Sequence, residues 1–280
     1  MAGGASRAPH TELVAFTIMR ITIGFHDVVE ETTQAQSIGA GFTTLYTLDR
    51  THFRNCLTAI QRRLKPRTPG RVDESEGAQS VFLTVDDGME SGIAIIAPEL
   101  ERLGWRGHFF ITTDWIGRPG FMNERQIREL DARRHVIGSH SCSHPKQMWS
   151  MSPKQLLQEW GDSRRRLSDV LGHDVAIASV PGGYYSTRVA VAADACGYRI
   201  LFTSEPTAKI ATVNLCRVLG RYTVRRHTPS STVADMAAGA KWNRWKQTAA
   251  WAATKTAKRV AGKWYLPLRR VLVESRPTHA

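Results

Sequence analysis

Two short apolar runs, each ending in side chains that can hold a cation, limit the folds open to this chain more than any other feature. Val81-Phe82-Leu83-Thr84-Val85 stops at Asp86-Asp87-Gly88, and Val136-Ile137-Gly138-Ser139 stops at His140-Ser141-Cys142-Ser143-His144-Pro145. Runs of this length, rich in β-branched and apolar residues and bounded by polar or turn residues, read as buried strands. Each delivers its polar groups at its C-terminal end, the edge where parallel α/β folds build their sites.

Two imidazoles four residues apart, with one carboxylate, make a facial set for a divalent ion that leaves positions open for water. Asp87, His140 and His144 are the candidate ligands, and Asp86 is the candidate base on that water. Adjacent residues of a strand face opposite ways, but at a strand end the chain turns and both carboxylates can reach one site. Either half alone has a plainer reading, Asp-Asp-Gly as a turn and His-x-x-x-His as a helix surface. Their order, each after a strand-like run, is what points to a metal. Cys142, between the two histidines, reads as a small buried residue, with a further metal ligand as the alternative.

Thr84-Val85-Asp86-Asp87-Gly88 and His140-Ser141-Cys142-Ser143-His144 resemble the first two motifs of the polysaccharide deacetylase family, carbohydrate esterase family four, over roughly residues 13–230. The resemblance implies an α/β fold, a distorted (β/α) barrel of about seven parallel strands, here followed by a basic C-terminal helical tail. It also implies a divalent metal, usually zinc, and removal of acetyl groups from glycans.

The periodicity along the chain agrees with an α/β fold. Leu13–Ile23 reads as a first strand that ends in Gly24-Phe25-His26-Asp27-Val28, which resembles an opening motif of many such deacetylases. His26 is a candidate to line the site, a structural hydrogen-bonding role being the alternative. Residues 29–47 read as a loop. Thr51–Leu64 reads as a helix with Phe53, Leu57 and Ile60 on its buried face, stopped by Pro66. Ile93, Ile96, Ala97, Leu100 and Leu103 have helical spacing up to Gly104. His108–Thr112 is a strand and Glu124–Leu130 a short helix. Ser152-Pro153 opens a long helix, with Leu156, Trp160, Leu167 and Leu171 inward and Gly172 at its end. Strands at Val175–Val180 and Tyr198–Thr203 flank a helix over Thr187–Cys196. Such alternation argues for a parallel sheet but leaves open whether it curls into a barrel. The resemblance favours the barrel.

The match departs from the family at its third motif. Pro181 and Gly183 fit, and the Gly182 N–H is a candidate to hold an oxyanion, with Pro181 and Tyr184 beside it as candidate substrate contacts. The family's arginine, which contacts the catalytic Asp, is replaced by Ser179. Loss of that cation would let the Asp86 pKa rise, unless another arginine, Arg217 or Arg221, stands in. For the family's late histidine, general acid to the leaving amine, the candidate is His227, with a surface histidine in a basic loop as the alternative.

The net charge of +13 is concentrated in residues 241–280, where ten Lys or Arg stand against one Glu. Within 241–264, Trp242, Trp245, Trp251 and Trp264 lie among these cations, and Trp242, Trp245 and Trp264 share a helical spacing with Ala249, Ala252, Thr256 and Val260. They are suited either to packing on the barrel or to an anionic membrane surface, whereas nucleic acid is disfavoured because no binding motif accompanies the charge. The implied division is a disordered 1–12, a deacetylase-like barrel over 13–235 and a basic tail over 236–280. The four cysteines, Cys56, Cys142, Cys196 and Cys216, show no paired spacing and fit a reducing compartment. The N-terminus has no signal-peptide pattern. A cytoplasmic location is therefore expected, with a peripheral place on the inner membrane face as one option for it. The expected substrate is an acetylated glycan or glycolipid. The competing readings are an amidase acting on a non-peptide C–N bond, and an inactive binding protein on the same fold.

Overall fold

The structure, a computed structural model, describes residues 19–30, 45–65, 67–72, 79–183, 185–240, 244 and 247–249. In chain order the elements are β1 (Met19–Phe25), β2 (Asp27–Val29), β3 (Thr47–Asp49), α1 (Arg50–Leu64), β4 (Gln79–Val85), α2 (Ala97–Glu101), β5 (His108–Ile111) and α3 (Glu124–Ala132). There follow β6 (Val136–Ser139), α4 (Pro153–Leu171), β7 (Ile177–Ser179), α5 (Thr187–Ala195), β8 (Ile200–Phe202), β9 (Ile210–Val213), β10 (Cys216–Leu219), β11 (Tyr222–Thr223) and α6 (Ser230–Ala237).

Nine strands form one sheet in the order β11-β1-β4-β5-β6-β7-β8-β10-β9. Eight run parallel, and β9 pairs antiparallel with β10 at the edge. The sheet curls into a half-barrel with helices on its convex side. Among the described residues no ladder joins the edge strands β9 and β11. The strand count exceeds the expected seven because two short late strands, β10 and β11, join the parallel set. Their sequences, of four and two residues, are too short for periodicity to reveal.

The two faces of the sheet follow from the period-2 alternation of side chains. Ile21, Ile23, Leu83, Val85, Phe109, Ile111, Ile137, Ala178 and Leu201 face the helices and join the large core. Phe82, Phe110, Ile177, Ile200, Phe202 and Leu219 fill the concave side with Val72. Gly138 lies on the concave face because Phe110 fills it: a Cβ at 138 would come within 2.6 Å of the Phe110 ring and 2.8 Å of Ile177. Deeper down, the buried His108 ring bonds the Leu83 carbonyl through Nδ1 at 2.9 Å and accepts the Val72 N–H at Nε2 at 3.0 Å, so it is held as the neutral tautomer. The same alternation carries the concave parity of Phe82 and Thr84 on to Asp86, of Gly24 to His26, and of Gly138 to His140. The site is therefore assembled at the C-terminal mouth of the half-barrel.

The helices follow their local signals. Asp49 caps α1 by accepting the His52 N–H, and Phe53, Cys56, Leu57, Ile60 and Leu64 are buried beneath it. Ser152 and Gln155 form a reciprocal capping box on α4, which ends at Gly172 in the left-handed region (φ 75°). Its Leu156, Trp160, Leu167 and Val170 are buried, while Leu171 is only half-buried. Residues 92–96 are wound as a π-helical turn leading into α2. The two short strands that bound the stretch read as a loop, β2 and β3, pair in parallel. Helix α6 crosses position 235/236 and packs on α1, where Arg63 meets Asp235 at 3.2 Å. Residues 1–12, most of the tail including its tryptophans, and Tyr184 lie outside the described residues. No helix among the described residues is long and apolar enough to cross a membrane.

Candidate active site

Strand register sets the site. Phe25 on β1 pairs with Val85 on β4, and the Asp86 N–H donates to the Phe25 carbonyl at 3.1 Å, so the residues that follow each strand emerge side by side. On β6, Ser139 is paired with Ile111 of β5, and the His140 N–H donates to the Ile111 carbonyl at 2.8 Å. Asp86, Asp87 and His140 are all buried, and His144 is half-buried.

Asp87, His140 and His144 converge as expected. One Asp87 carboxylate oxygen, Oδ1, lies 3.4 Å from His140 Nε2 and 3.4 Å from His144 Nε2. The ligand-capable atoms of the three residues lie within 4.8 Å of one another. His140 Nδ1 lies 3.0 Å from the Ser179 carbonyl, which can only accept, so Nδ1 carries a proton; Nε2 then donates to the Asp87 carboxylate when the ring is charged and offers a lone pair to a cation when it is neutral. Lone pairs gathered this closely repel unless a proton or a metal cation sits among them. The donor set, two imidazole nitrogens and one carboxylate, therefore fits a divalent ion. Burial acts to raise the Asp87 pKa, but hydrogen bonding to His140 and His144 outweighs it and holds the carboxyl well below its usual range. Burial acts to lower the His140 pKa, and the charges of Asp86 and Asp87 overcome it and raise it.

Three residues around the cation position adopt left-handed backbone without being glycine: Asp87 (φ 75°), Ser141 (φ 64°) and His144 (φ 57°). Such conformations cost about 1–3 kcal/mol each and persist only where surrounding structure dictates them. Aromatic rings fix two of the imidazoles. Trp115 stacks on His144 with centroids 5.0 Å apart, and Tyr46 stacks on His26 at 4.7 Å. Cys142 is not part of the ligand cluster. It is half-buried, and its thiol donates to Asp114 Oδ1 at 3.2 Å, with burial raising its pKa to about 11.

Arg221 takes the place that Ser179 leaves empty. Its Nη1 and Nη2 donate to Asp86 Oδ1 and Oδ2 at 2.6 and 2.7 Å, a bidentate pair. Both side chains are almost fully buried, 2% and 3% exposed. The guanidinium lies over the Phe110 ring, 5.9 Å from its centroid, and its Nε donates to the Thr203 carbonyl at 3.0 Å. Ser179 Oγ adds a weaker bond to the same carboxylate at 3.3 Å. The Asp86 pKa is consequently not raised: burial acts upward, but Arg221, His140 and His26 together bring it below the ordinary value. The other candidate, Arg217, lies on β10 with no contact to Asp86 among the described residues. Arg221 was legible in sequence only as one of two alternatives.

His26 reaches the site, its Nε2 4.0 Å from Asp86 Oδ2. Burial lowers its pKa, against the pull of Asp87 and Asp86, so the ring is neutral at pH 7. Among the described residues its buried Nδ1 has no hydrogen-bond partner. His227, the expected acid, is exposed in the turn between β11 and α6, with no contact to Asp86, Asp87, His140 or His144 among the described residues. The chain leaves the mouth there: β11 ends at Thr223, and the Arg226 N–H bonds the Leu45 carbonyl at 2.8 Å. Pro181 is buried and Gly182 exposed in a tight turn. Gly182 has φ 63°, and a Cβ there would lie 3.2 Å from the Lys146 carbonyl oxygen, so both conformation and space require glycine.

A half-barrel of this kind, with Asp-Asp and His-x-x-x-His at its C-terminal mouth, defines the class as an NodB-type deacetylase fold. Residues 73–201, a little under half of the chain, match the polysaccharide deacetylase family. It is 27% identical over 168 residues to YxkH of Bacillus subtilis, named as a polysaccharide deacetylase, a match covering 60% of this chain and 58% of that protein. A second relative, an uncharacterized 30.6 kDa protein of Geobacillus stearothermophilus, is 26% identical over 45% of this chain and 46% of its own. The chain thus spans about half the length of the curated relatives it matches. Among solved structures, the Streptococcus pyogenes deacetylase PplD in complex with acetate has a TM-score of 0.65 at 17% identity, covering 79% of this chain and 99% of that one. IcaB of Ammonifex degensii has a TM-score of 0.61 at 20% identity, covering 81% and 97%. At these identities the two structures establish the fold.

Proposed function

We propose that this protein is a metal-dependent hydrolase that removes acetyl groups from N-acetylated sugars of a polysaccharide or lipid-linked glycan. The observation that carries the reading is the buried pair of adjacent carboxylates with different partners: Asp87 faces two imidazole nitrogens at 3.4 Å, and Asp86, 3.9 Å from His140 Nε2, is gripped by both Nη groups of Arg221. A site that only bound a metal would not need the second carboxylate ionised and oriented. The family match supports the acetylated glycan as substrate class.

Asp87, His140 and His144 would hold the ion, which we take to be zinc. When bound, it supplies Lewis acidity toward water and toward the acyl oxygen. Asp86, kept ionised by Arg221, accepts the proton of the attacking water. The Gly182 N–H, on a turn that tolerates close approach, would donate to the oxyanion that forms at the acyl carbon. His26 is better placed than His227 to deliver a proton to the departing amine. It meets the substrate neutral, takes the proton from Asp86 Oδ2 across a gap of 4.0 Å that a small movement closes, and passes it to nitrogen. The C–N bond breaks, giving acetate and a free amine. Residues 241–264 would bring the enzyme to an anionic membrane surface on the cytoplasmic side, where a lipid-linked intermediate would be met.

The deciding experiment measures acetate release from a panel of N-acetylated sugars together with zinc content. Stoichiometric zinc with acetate release supports the reading. Zinc without release from any acetylated sugar would overturn the substrate assignment.

A further inference from the structure

We infer that Glu159, on the convex side of the barrel, is the positioning residue that fixes the loop carrying both histidine ligands. The inference rests on the metal-site reading above and extends it to a residue outside the ligand set.

Residues 140–144 belong to neither helix nor strand, so their backbone N–H groups need partners from elsewhere. The accounting is complete. His140 N–H goes to the Ile111 carbonyl at 2.8 Å, Ser141 N–H to Ser139 Oγ at 3.0 Å, and His144 N–H to Ser141 Oγ at 3.1 Å. The remaining two, Cys142 N–H and Ser143 N–H, both donate to Glu159 Oε2, at 3.0 and 2.9 Å. The Ser143 hydroxyl donates to Oε1 of the same carboxylate at 2.6 Å. One side chain thus takes three bonds from the two residues that separate Ser141 from His144. One turn further along α4, Ser163 Oγ lies 2.6 Å from Ser139 Oγ, so the next turn of the same helix holds the strand end from which the loop departs.

The loop needs such a grip because it is strained at both ends, with Ser141 and His144 in left-handed backbone. Consecutive N–H groups pointing to one side form a nest that favours an anion, and Glu159 fills it. An unheld loop would relax at His144 first, since Pro145 follows it and Ser141 Oγ is its only described backbone anchor. His140, by contrast, is tied to β5 and to Ser179. Glu159 therefore acts through His144 on the geometry of the cation site. A carboxylate is the group that suits this place: it offers two acceptor oxygens and no donor, and every group it meets is a donor.

The test measures zinc affinity of the full chain at neutral pH by competition with a chromophoric chelator, with the Tm of the metal-free protein measured alongside. Glu159→Ala should weaken zinc by about 10–100-fold, the range typical of lost outer-shell partners. Glu159→Gln, whose amide oxygen can still accept both N–H groups, should stay within about fivefold of wild type. A role in packing alone would lower the metal-free Tm and leave zinc affinity unchanged. Zinc affinity of Glu159→Ala within about twofold of wild type would overturn the inference, since loss of an outer-shell partner costs at least about tenfold. Should that variant fail to fold, Glu159→Asp, which keeps the charge but withdraws the oxygens, takes its place with the same two outcomes. Absence of zinc binding by the wild type would be a different result, removing the metal reading and this inference with it.

Discussion

Arg221 holds Asp86 through two parallel hydrogen bonds of 2.6 and 2.7 Å, reaching it from 135 residues further along the chain. The cation that the third motif lacks is thus supplied from the junction of β10 and β11, at the same carboxylate and on the same face of the sheet. Gly220 makes that junction possible: a Cβ there would lie 2.3 Å from the Glu205 carbonyl oxygen, against which the chain must pass for Arg221 to enter the barrel.

Breaking this pair should be costly. Arg221→Met leaves the Asp86 charge buried without its partner and should destabilise the fold by about 3–5 kcal/mol, read as a fall in chemical-denaturation midpoint. Arg221→Lys keeps a charge but loses the fork, and Asp86 should then titrate at higher pH. The acid limb of the kcat/KM profile should move upward in that variant, and an unmoved limb would show that Arg221 does not tune the base.

The two carboxylates should separate by phenotype. Asp86→Asn should retain zinc and lose about 10²–10⁴ in kcat, the usual contribution of a positioned base. Asp87→Asn and His140→Ala should lose zinc and activity together. Equilibrium dialysis with acetate release distinguishes these outcomes, and near-normal turnover in Asp86→Asn would remove it from the mechanism.

The two candidate proton carriers should also separate. His26→Ala should lower kcat by about 10²-fold or more, whereas His227→Ala, altering an exposed side chain, should stay within about twofold. The reverse pattern would restore His227 as the acid.

Stability should report on Asp86 as well. Its folded pKa is depressed below the unfolded value, so its contribution is fully present above the unfolded carboxyl pKa of about 3.9 and is lost as pH falls through the folded value. Asp86 also raises the His140 pKa, so for the metal-free protein the stability difference between wild type and Asp86→Asn should widen as His140 charges below neutrality and then shrink as pH falls below about 4. A difference that went on widening below about pH 4 would contradict the ionised assignment.

Gly138→Ala tests the packing of the concave side. A methyl directed at Phe110 from 2.6 Å should cost about 1–3 kcal/mol in overpacking, seen in thermal unfolding.

What was legible in the sequence was local. The strand-like runs before Asp86 and His140, the capping Ser152-Pro153 and the stop at Gly172 all depend on neighbours within a few residues, and each appears in the structure near its expected place. The short late strands escaped notice because a strand of two to four residues has no period to detect, and its pairing comes from the sheet it joins.

The sequence by itself determined the Asp-Asp and His-x-x-x-His motifs and their places at the ends of β4 and β6, because alternating apolar residues dictate which face each strand buries and where it must stop. Only the tertiary structure decided which arginine meets Asp86, which histidine joins it and which helix bonds the loop that carries His140 and His144. Those contacts join residues far apart in the chain, such as His26 with Asp86, Glu159 with Cys142 and Ser143, and Arg221 with Asp86. The curl and register of the sheet bring them within bonding distance, and neither is written in any local stretch of residues.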